Sequence, residues 1–264
     1  MAAPISVPIH PALVPYVREI TVEARPVLRL PAARVAPAPY RILPGIEPVI
    51  GFQFRGRLSV LRGTRPELLG RSGVTGIQSS ARWFLSEAET RSVIVRLAPF
   101  GGYVLLNQCM AELADRQVPL DQIMGRMEPL EDELQELGPH QAAERVQKWL
   151  LERLSARKRD VHPDVIATWR AIIDTAGRSR VEVIAKDIGI GRRRLERLFQ
   201  RQIGVAPKEL ALLVRFERVV REQGRRSWTD IALDAGYADQ AHFIRDFKQR
   251  TGMIPTEFRR DQPR

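Results

Sequence analysis

The stretch Leu195-Glu196-Arg197-Leu198-Phe199, followed by Gly204, Pro207, Glu209 and Leu210, recurs as Phe243-Ile244-Arg245-Asp246-Phe247, followed by Gly252, Pro255, Glu257 and Phe258. Every matched residue keeps its offset, and each copy is preceded by Ile-Ala-x-Asp-x-Gly, at Ile184 to Gly189 and again at Ile231 to Gly236. In each copy a glycine stands where a short helix must end, and apolar residues at i, i+3 and i+4 mark the inner face of the next helix. Two short helices joined by a Gly-containing turn make a helix-turn-helix, so the chain has duplicated one small helical unit.

The rest of the C-terminal part is built to hold two such units. From Asp164 onward the pattern is helical, with predicted helices over 164–176, 181–188, 191–202, 207–222, 228–235 and 239–251 and a last turn from Pro255. Gly204 and Gly252 end the second helix of each unit, and Pro207 and Pro255 start the next one. The helix over 207–222 is about 24 Å long at 1.5 Å per residue and can brace the two units apart.

The first hundred residues read differently. Short β-branched or aromatic runs at Tyr16 to Val22, Val49 to Phe54, Leu58 to Leu61, Val74 to Gln78 and Val93 to Leu97 are separated by Pro44-Gly45, Gly56, Gly63 and Gly73. They predict antiparallel strands of a sandwich or small barrel. Helical texture follows at Tyr103 to Asp115, Pro129 to Leu137 and Gln141 to Leu154. The short basic stretch from Ser155 to Pro163 reads as a linker. The expected organisation is therefore α+β: a β-rich domain with trailing helices over 1–154, a linker over 155–163, and an all-α domain over 164–264.

Charge narrows the partners. Formal net charge is +11, and residues 161–264 hold 21 Lys+Arg against 14 Asp+Glu, so the excess concentrates on the duplicated helices and a polyanion is the partner to expect. With Leu195, Leu198 and Phe199 inward, the first unit presents Arg192, Arg193, Arg194, Glu196, Arg197 and Arg201. With Phe243 and Phe247 inward, the second presents Gln240, Ala241, Ile244, Arg245 and Lys248. An α-helix fits the major groove of B-DNA, where Arg matches guanine, Gln matches adenine and Glu accepts from cytosine. One DNA turn is about 34 Å, so two braced helices can enter successive major grooves. A solvated basic face is the plain alternative for the Arg192 to Arg194 run, and buried pairs with Asp187 or Glu217 are the alternative for Arg197 and Arg245.

On these residues, 165–262 resemble the C-terminal DNA-binding domain of the AraC/XylS family of transcription regulators. The residues carrying the resemblance are Ile184-Ala185, Leu195-x-Arg197-x-Phe199, Gly204-x-x-Pro207, Arg215, Ile231-Ala232-x-x-x-Gly236-Tyr237, Phe243-x-Arg245-x-Phe247-Lys248, Gly252-x-x-Pro255 and Phe258-Arg259. The resemblance implies base contacts from Arg193, Glu196 and Arg197 in the first unit and from Gln240, Ala241, Ile244 and Arg245 in the second. Arg192, Arg194, Arg201, Lys208 and Lys248 are the expected phosphate contacts. Gly191 stands where the family often has Ser, which weakens the N-cap of the first reading helix, whereas Asp239 is a good N-cap for the second. The N-terminal part is similar to β-rich sensor domains of the same family through Val93 to Leu97 followed by Pro99-Phe100-Gly101-Gly102-Tyr103. Such a domain implies a small-molecule effector, a homodimer, or both, and RNA polymerase as a partner if the protein is an activator.

Other features point to no chemistry. The one cysteine, Cys109, lies in a predicted apolar helix without a neighbouring His and reads as a core residue rather than a nucleophile. That argues against an enzyme fused to a DNA-binding module. His10, His140, His162 and His242 are scattered, so neither a metal site nor a cofactor is expected. Gly101-Gly102 reads as a tight turn rather than an anion site. Arg55, Arg57, Arg62, Arg65 and Arg71 crowd the β-rich part and are candidates for an acidic effector, or for a solvated surface. Leu130, Leu134, Leu137, Val146, Trp149 and Leu150 suit either a dimer seam or a cover for the sheet. With no apolar run long enough to span a bilayer and no signal-like N-terminus, the expected location is the cytoplasm.

Overall fold

The computed structural model describes residues 4–25, 39–86, 89–224 and 226–261. The chain forms two compact units: residues 1–42, 47–76 and 82–160 make the first, and residues 43–46, 77–81 and 161–264 the second.

The first unit holds ten described strands: β1 (Ile5–Ser6), β2 (Val17–Arg25), β3 (Tyr40–Ile42), β4 (Val49–Arg55), β5 (Leu58–Arg62), β6 (Arg65–Leu68), β7 (Ser72–Thr75), β8 (Arg82–Ser86), β9 (Thr90–Leu97) and β10 (Gln117–Pro119). They build two antiparallel sheets, ordered β1-β2-β9-β4-β7-β10 and β3-β8-β5-β6. Neither closes on itself among the described residues, so the barrel alternative gives way to two open sheets. Period-2 burial explains the larger one: Ile50, Phe52 and Phe54 alternate along β4, paired with the β-branched run of β9 in the register Ile50↔Val95 and Phe52↔Val93. Gly56 and Gly63, at φ +74° and +63°, make the turns that bracket β5. Gly73, expected in a turn, lies inside β7, and the predicted strand at Val74 to Gln78 ends at Thr75.

The helices of this unit are α1 (Gly101–Leu105), α2 (Asp121–Met124), α3 (Glu128–Glu136) and α4 (Pro139–Ser155). The helix expected from Tyr103 to Asp115 is broken after Leu105. Asn107 and Asp115 take left-handed φ of +55° and +53°, which Asn and Asp tolerate better than other side chains. Cys109 is consequently half-buried in extended backbone rather than packed in a helix. Gly101 and Gly102 are buried where a Cβ would collide with the Tyr16 carbonyl and with Met110, so close packing accounts for the pair. Leu130, Leu134, Val146, Trp149 and Leu150 are buried within the chain, with the Trp149 ring meeting Phe52 of β4 edge-on at 5.5 Å. They cover the sheet and are not exposed as a dimer seam.

The second unit contains α5 (Pro163–Asp174), α6 (Val181–Ile188), α7 (Arg192–Ile203), α8 (Pro207–Glu222), α9 (Trp228–Asp234), α10 (Gln240–Thr251) and α11 (Pro255–Asp261). α8 is its centre, with Leu210, Leu213, Phe216 and Val219 buried along one face at helical spacing. From its partly buried flank Arg215 donates through Nε to the Gly177 carbonyl at 2.7 Å and through Nη1 to the Gly236 carbonyl at 3.0 Å. These carbonyls end the segment after α5 and the turn after α9. Gly177 has φ +73°, and a Cβ there would run into the Ala211 carbonyl of α8.

Arg215→Lys is expected to lower the unfolding free energy by about 1.5–3 kcal/mol, because an ammonium cannot reach two separated carbonyls in the guanidinium's fork geometry. Urea denaturation of the full chain measures it, and an unchanged midpoint would show that the two bonds hold nothing.

Candidate nucleic-acid interface

In the first helix-turn-helix, Val181, Ile184 and Ala185 anchor α6, and Gly189 terminates it in the left-handed conformation at φ +78°. Ala185, Ile190 and Leu195 form a small core with Ile188 and Leu198 against it. α7 buries Leu195, Phe199, Gln202 and Ile203. Its N-cap, Gly191, makes no side-chain hydrogen bond, as the sequence implies. Arg192, Arg193, Arg194, Arg197 and Arg201 are exposed on α7, and Glu196 is half-exposed.

The second unit is held differently. Ser227 caps α9 by accepting from the Asp230 amide at 3.2 Å, and Asp239 caps α10 by accepting from the His242 amide at 2.7 Å. Phe243 and Phe247 of α10 enter an aromatic core with Phe216, Trp228, Tyr237 and Phe258. Trp228 also lies under the Arg259 guanidinium, 4.8 Å from its ring centre. Gln240, Ala241, Arg245 and Lys248 are exposed on α10, and Ile244 is half-exposed. The turn between the two helices is longer here, with residues 235–239 between α9 and α10 against 189–191 between α6 and α7. The second helix of each unit is therefore launched differently from the same framework.

The structure thus brings the expected base-contacting residues to the outer face of α7 and α10. Arg197 and Arg245 are exposed, so the buried-pair alternative does not describe them. Arg201 is exposed near the C-terminal end of α7, and Lys208 is exposed in the first turn of α8. Arg192, an expected phosphate contact, pairs with Glu182 at 2.6 Å and Glu196 at 2.9 Å. The hydrogen bonds to these carboxylates and their charge hold its pKa above the ordinary value.

One residue was not singled out from the sequence. Arg250 of α10 is almost completely buried: its Nε bonds Asp246 at 3.0 Å, and its Nη1 bonds Glu209 of α8 at 2.9 Å and the Ser79 carbonyl at 3.2 Å. Tyr237 donates its hydroxyl to the same Asp246 at 2.7 Å. Burial opposes the Arg250 charge, but Asp246 and Glu209 outweigh it and raise its pKa. Burial and then Asp246 push the Tyr237 phenol well above its usual range. The signal was present, since Arg250 lies seven residues after Phe243 and three after Phe247, on the inward face.

The five candidate effector arginines of the β-rich unit do not converge. Arg71 pairs with Glu131 and Asp132 of α3 at 3.1 and 2.6 Å, Arg62 pairs with Glu67, and Arg55, Arg57 and Arg65 are exposed. Arg62 lines a cavity of about 60 Å³ together with Val60, Leu68, Ser72 and Gln117. Among the described residues no group of His, Cys, Asp and Glu is placed to hold a metal ion.

A family model described as a helix-turn-helix domain matches residues 184–261, from inside α6 to the end of α11. Residues 184–261 are an AraC-type helix-turn-helix domain. Over 82 residues the chain is 30% identical to an uncharacterized HTH-type transcriptional regulator of Haemophilus influenzae. That match covers 30% of this chain and 28% of the regulator, so the chain matches little more than a quarter of that relative's length. Among solved structures, ToxT from Vibrio cholerae O395 aligns with 90% of this chain and 95% of its own at 11% identity and a TM-score of 0.48. Unsaturated fatty acid bound ToxT from V. cholerae strain SCE256 aligns with 90% and 93% at 12% identity and a TM-score of 0.45. The AraC-like transcriptional activator CuxR aligns with 78% and 77% at 16% identity and a TM-score of 0.29. The AraC-type domain contains both α7 and α10, together with the α8 brace between them.

Removing the carboxylate under Arg250 tests how α10 of this domain is held. Asp246→Ala leaves a buried guanidinium without the partner of its Nε and is expected to cost about 3–5 kcal/mol in a denaturant titration of the full chain. A loss below about 1 kcal/mol would show that Glu209 and the Ser79 carbonyl suffice.

Proposed function

We propose that the protein is a sequence-specific DNA-binding transcription regulator that places α7 and α10 in successive major grooves of one duplex. The observation carrying this is the pair of helices α7 and α10, each buried by its apolar stripe, each presenting exposed polar or cationic side chains, and both packed in one helical unit with the 16-residue α8. The residues proposed to contact bases are Arg193, Glu196 and Arg197 on α7 and Gln240, Ala241, Ile244 and Arg245 on α10. Arg194, Arg201, Lys208 and Lys248 are proposed to grip phosphates. Because the outward residues differ between the units, one chain reads an asymmetric site.

Small-molecule control is assigned to the β-rich unit, and the work of the protein is cytoplasmic recognition of DNA rather than catalysis. The cavity lined by Arg62 and Gln117 holds no more than a few heavy atoms and is by itself too small for an effector of ordinary size. No described helix is long and apolar enough to cross a membrane.

Arg193→Ala or Arg245→Ala is expected to weaken specific binding by about 1–3 kcal/mol and to relax the preference at one base position. Selection of bound sequences from a randomised duplex library measures both. An equal loss on every sequence would show that the side chain grips only phosphate. Control by an effector predicts that a metabolite screen on the full chain finds a compound that raises its melting temperature, since a ligand of the folded state stabilises it. If such a compound leaves DNA affinity unchanged, it is not the regulator's input.

A further inference from the structure

The helix that reads bases in the first unit begins with an electrostatic conflict. Arg192 is the first residue of α7, where the helix dipole is positive and the Gly191 N-cap offers no side chain. Arg193 and Arg194 follow directly. Two carboxylates resolve the conflict from different helices. Glu182, in the first turn of α6, takes Arg192 Nη1 at 2.6 Å, and Glu196, one turn along α7, takes Arg192 Nε at 2.9 Å. Both bonds to Glu196 and Glu182 use Oε1, and no bond to Oε2 of Glu196 is among those described. All three side chains are at the surface, at 55%, 58% and 36% exposure for Arg192, Glu182 and Glu196, so in water the network is held weakly. DNA changes that balance, because a major groove closing over α7 excludes water and strengthens whichever pairing is already formed.

We infer that Glu182 is a positioning residue for base reading: by holding Arg192 it keeps that guanidinium off the phosphates and fixes the Glu196 carboxylate for a cytosine amine. This rests on the proposed placement of α7 in the major groove. A carboxylate accepts from the exocyclic amine of cytosine and is repelled by the acceptor edges of guanine and thymine, so its orientation carries sequence information that an arginine on a phosphate does not. Without Glu182, Arg192 is bound on one side only. It can swing to the nearest phosphate, and Glu196 loses the rail that aligns it.

The test selects binding sites from a randomised duplex library with the full-length protein and its variants, and measures affinity across a salt series. With the wild-type protein, one position is expected to favour cytosine, and Glu196→Ala abolishes that preference. Glu182→Gln is expected to reduce the preference at the same position about three- to tenfold while affinity for unrelated DNA rises. The slope of log K against log salt should steepen by up to about 0.9, the contribution of one added phosphate contact. Glu182→Asp should retain part of the preference, and Glu182→Gln in an Arg192→Ala background should change it no further. Matching melting temperatures exclude a folding effect. If Glu182→Gln changes neither preference nor slope while Glu196→Ala still relaxes the cytosine position, the positioning role is wrong and the placement of α7 stands. If Arg193→Ala, Glu196→Ala and Glu182→Gln all leave the selected sequences unchanged, α7 does not read bases and both fall.

Discussion

Both helix-turn-helix units are tied to one guanidinium. Arg215 leaves α8 with two donors aimed in different directions, one at the Gly177 carbonyl and one at the Gly236 carbonyl. Each carbonyl belongs to a turn that would otherwise have to satisfy it with water. Gly177 comes so close to α8 that a side chain there would strike the Ala211 carbonyl, which is why α5 can lie against the brace with Trp169 and Ile172 buried. Gly236 begins the turn that launches α10. The two helix-turn-helix units are thus joined at the middle of α8, with Phe216 and Val219 supplying the apolar area and Arg215 the direction.

Much of this was legible because the duplicated residues are of the kinds that physics constrains most. Glycine at Gly189 and Gly252 reports a left-handed residue, Pro207 and Pro255 report helix starts, and Phe243 with Phe247 reports a buried stripe, each by a local rule. The β-rich part gave less, because its missed strands carry little pattern. β6 reads Arg-Pro-Glu-Leu with every residue exposed, and β3 and β10 have three residues each. A two-residue period cannot show itself in so short a run. The helix expected through Cys109 failed because Asn107 takes a left-handed conformation that its apolar neighbours do not announce. In the site, exposed positions followed from periodicity, whereas the pairing of Arg192 did not, since Glu182 lies ten residues away on another helix.

The two units solve the same problem with different interactions. The first has a small aliphatic core of Ala185, Ile190 and Leu195 and an uncapped reading helix steadied at its start by ion pairs. The second has six aromatic rings, a side-chain cap at Asp239 and the buried Arg250 network behind it. Surface ion pairs are weak and respond to salt and to the approach of phosphates, while packed rings and buried charge pairs do not. The same helix-turn-helix framework is therefore steadied by surface ion pairs in the first unit and by packed rings and a buried charge network in the second.

The second helix-turn-helix unit is not held by helices alone. Residues 43–46 and 77–81 belong to the helical unit although the chain reaches them long before α5. They pair through Gly45 and Gln78, and the Ile46 amide donates to Glu217 of α8 at 2.9 Å. The Ala81 amide donates to the Arg250 carbonyl at 2.6 Å, and Leu43 packs on the aromatic core. A carbonyl in the last turn of α10 has no partner within the helix, so an amide from residue 81 satisfies a group that α10 cannot satisfy itself. The same segment supplies the Ser79 carbonyl that takes an Arg250 donor left over by Asp246 and Glu209. Completing both the charge network and the helix end from one segment removes two costs that a free helical fragment would carry, and it explains why a buried arginine is tolerated at the base of a reading helix.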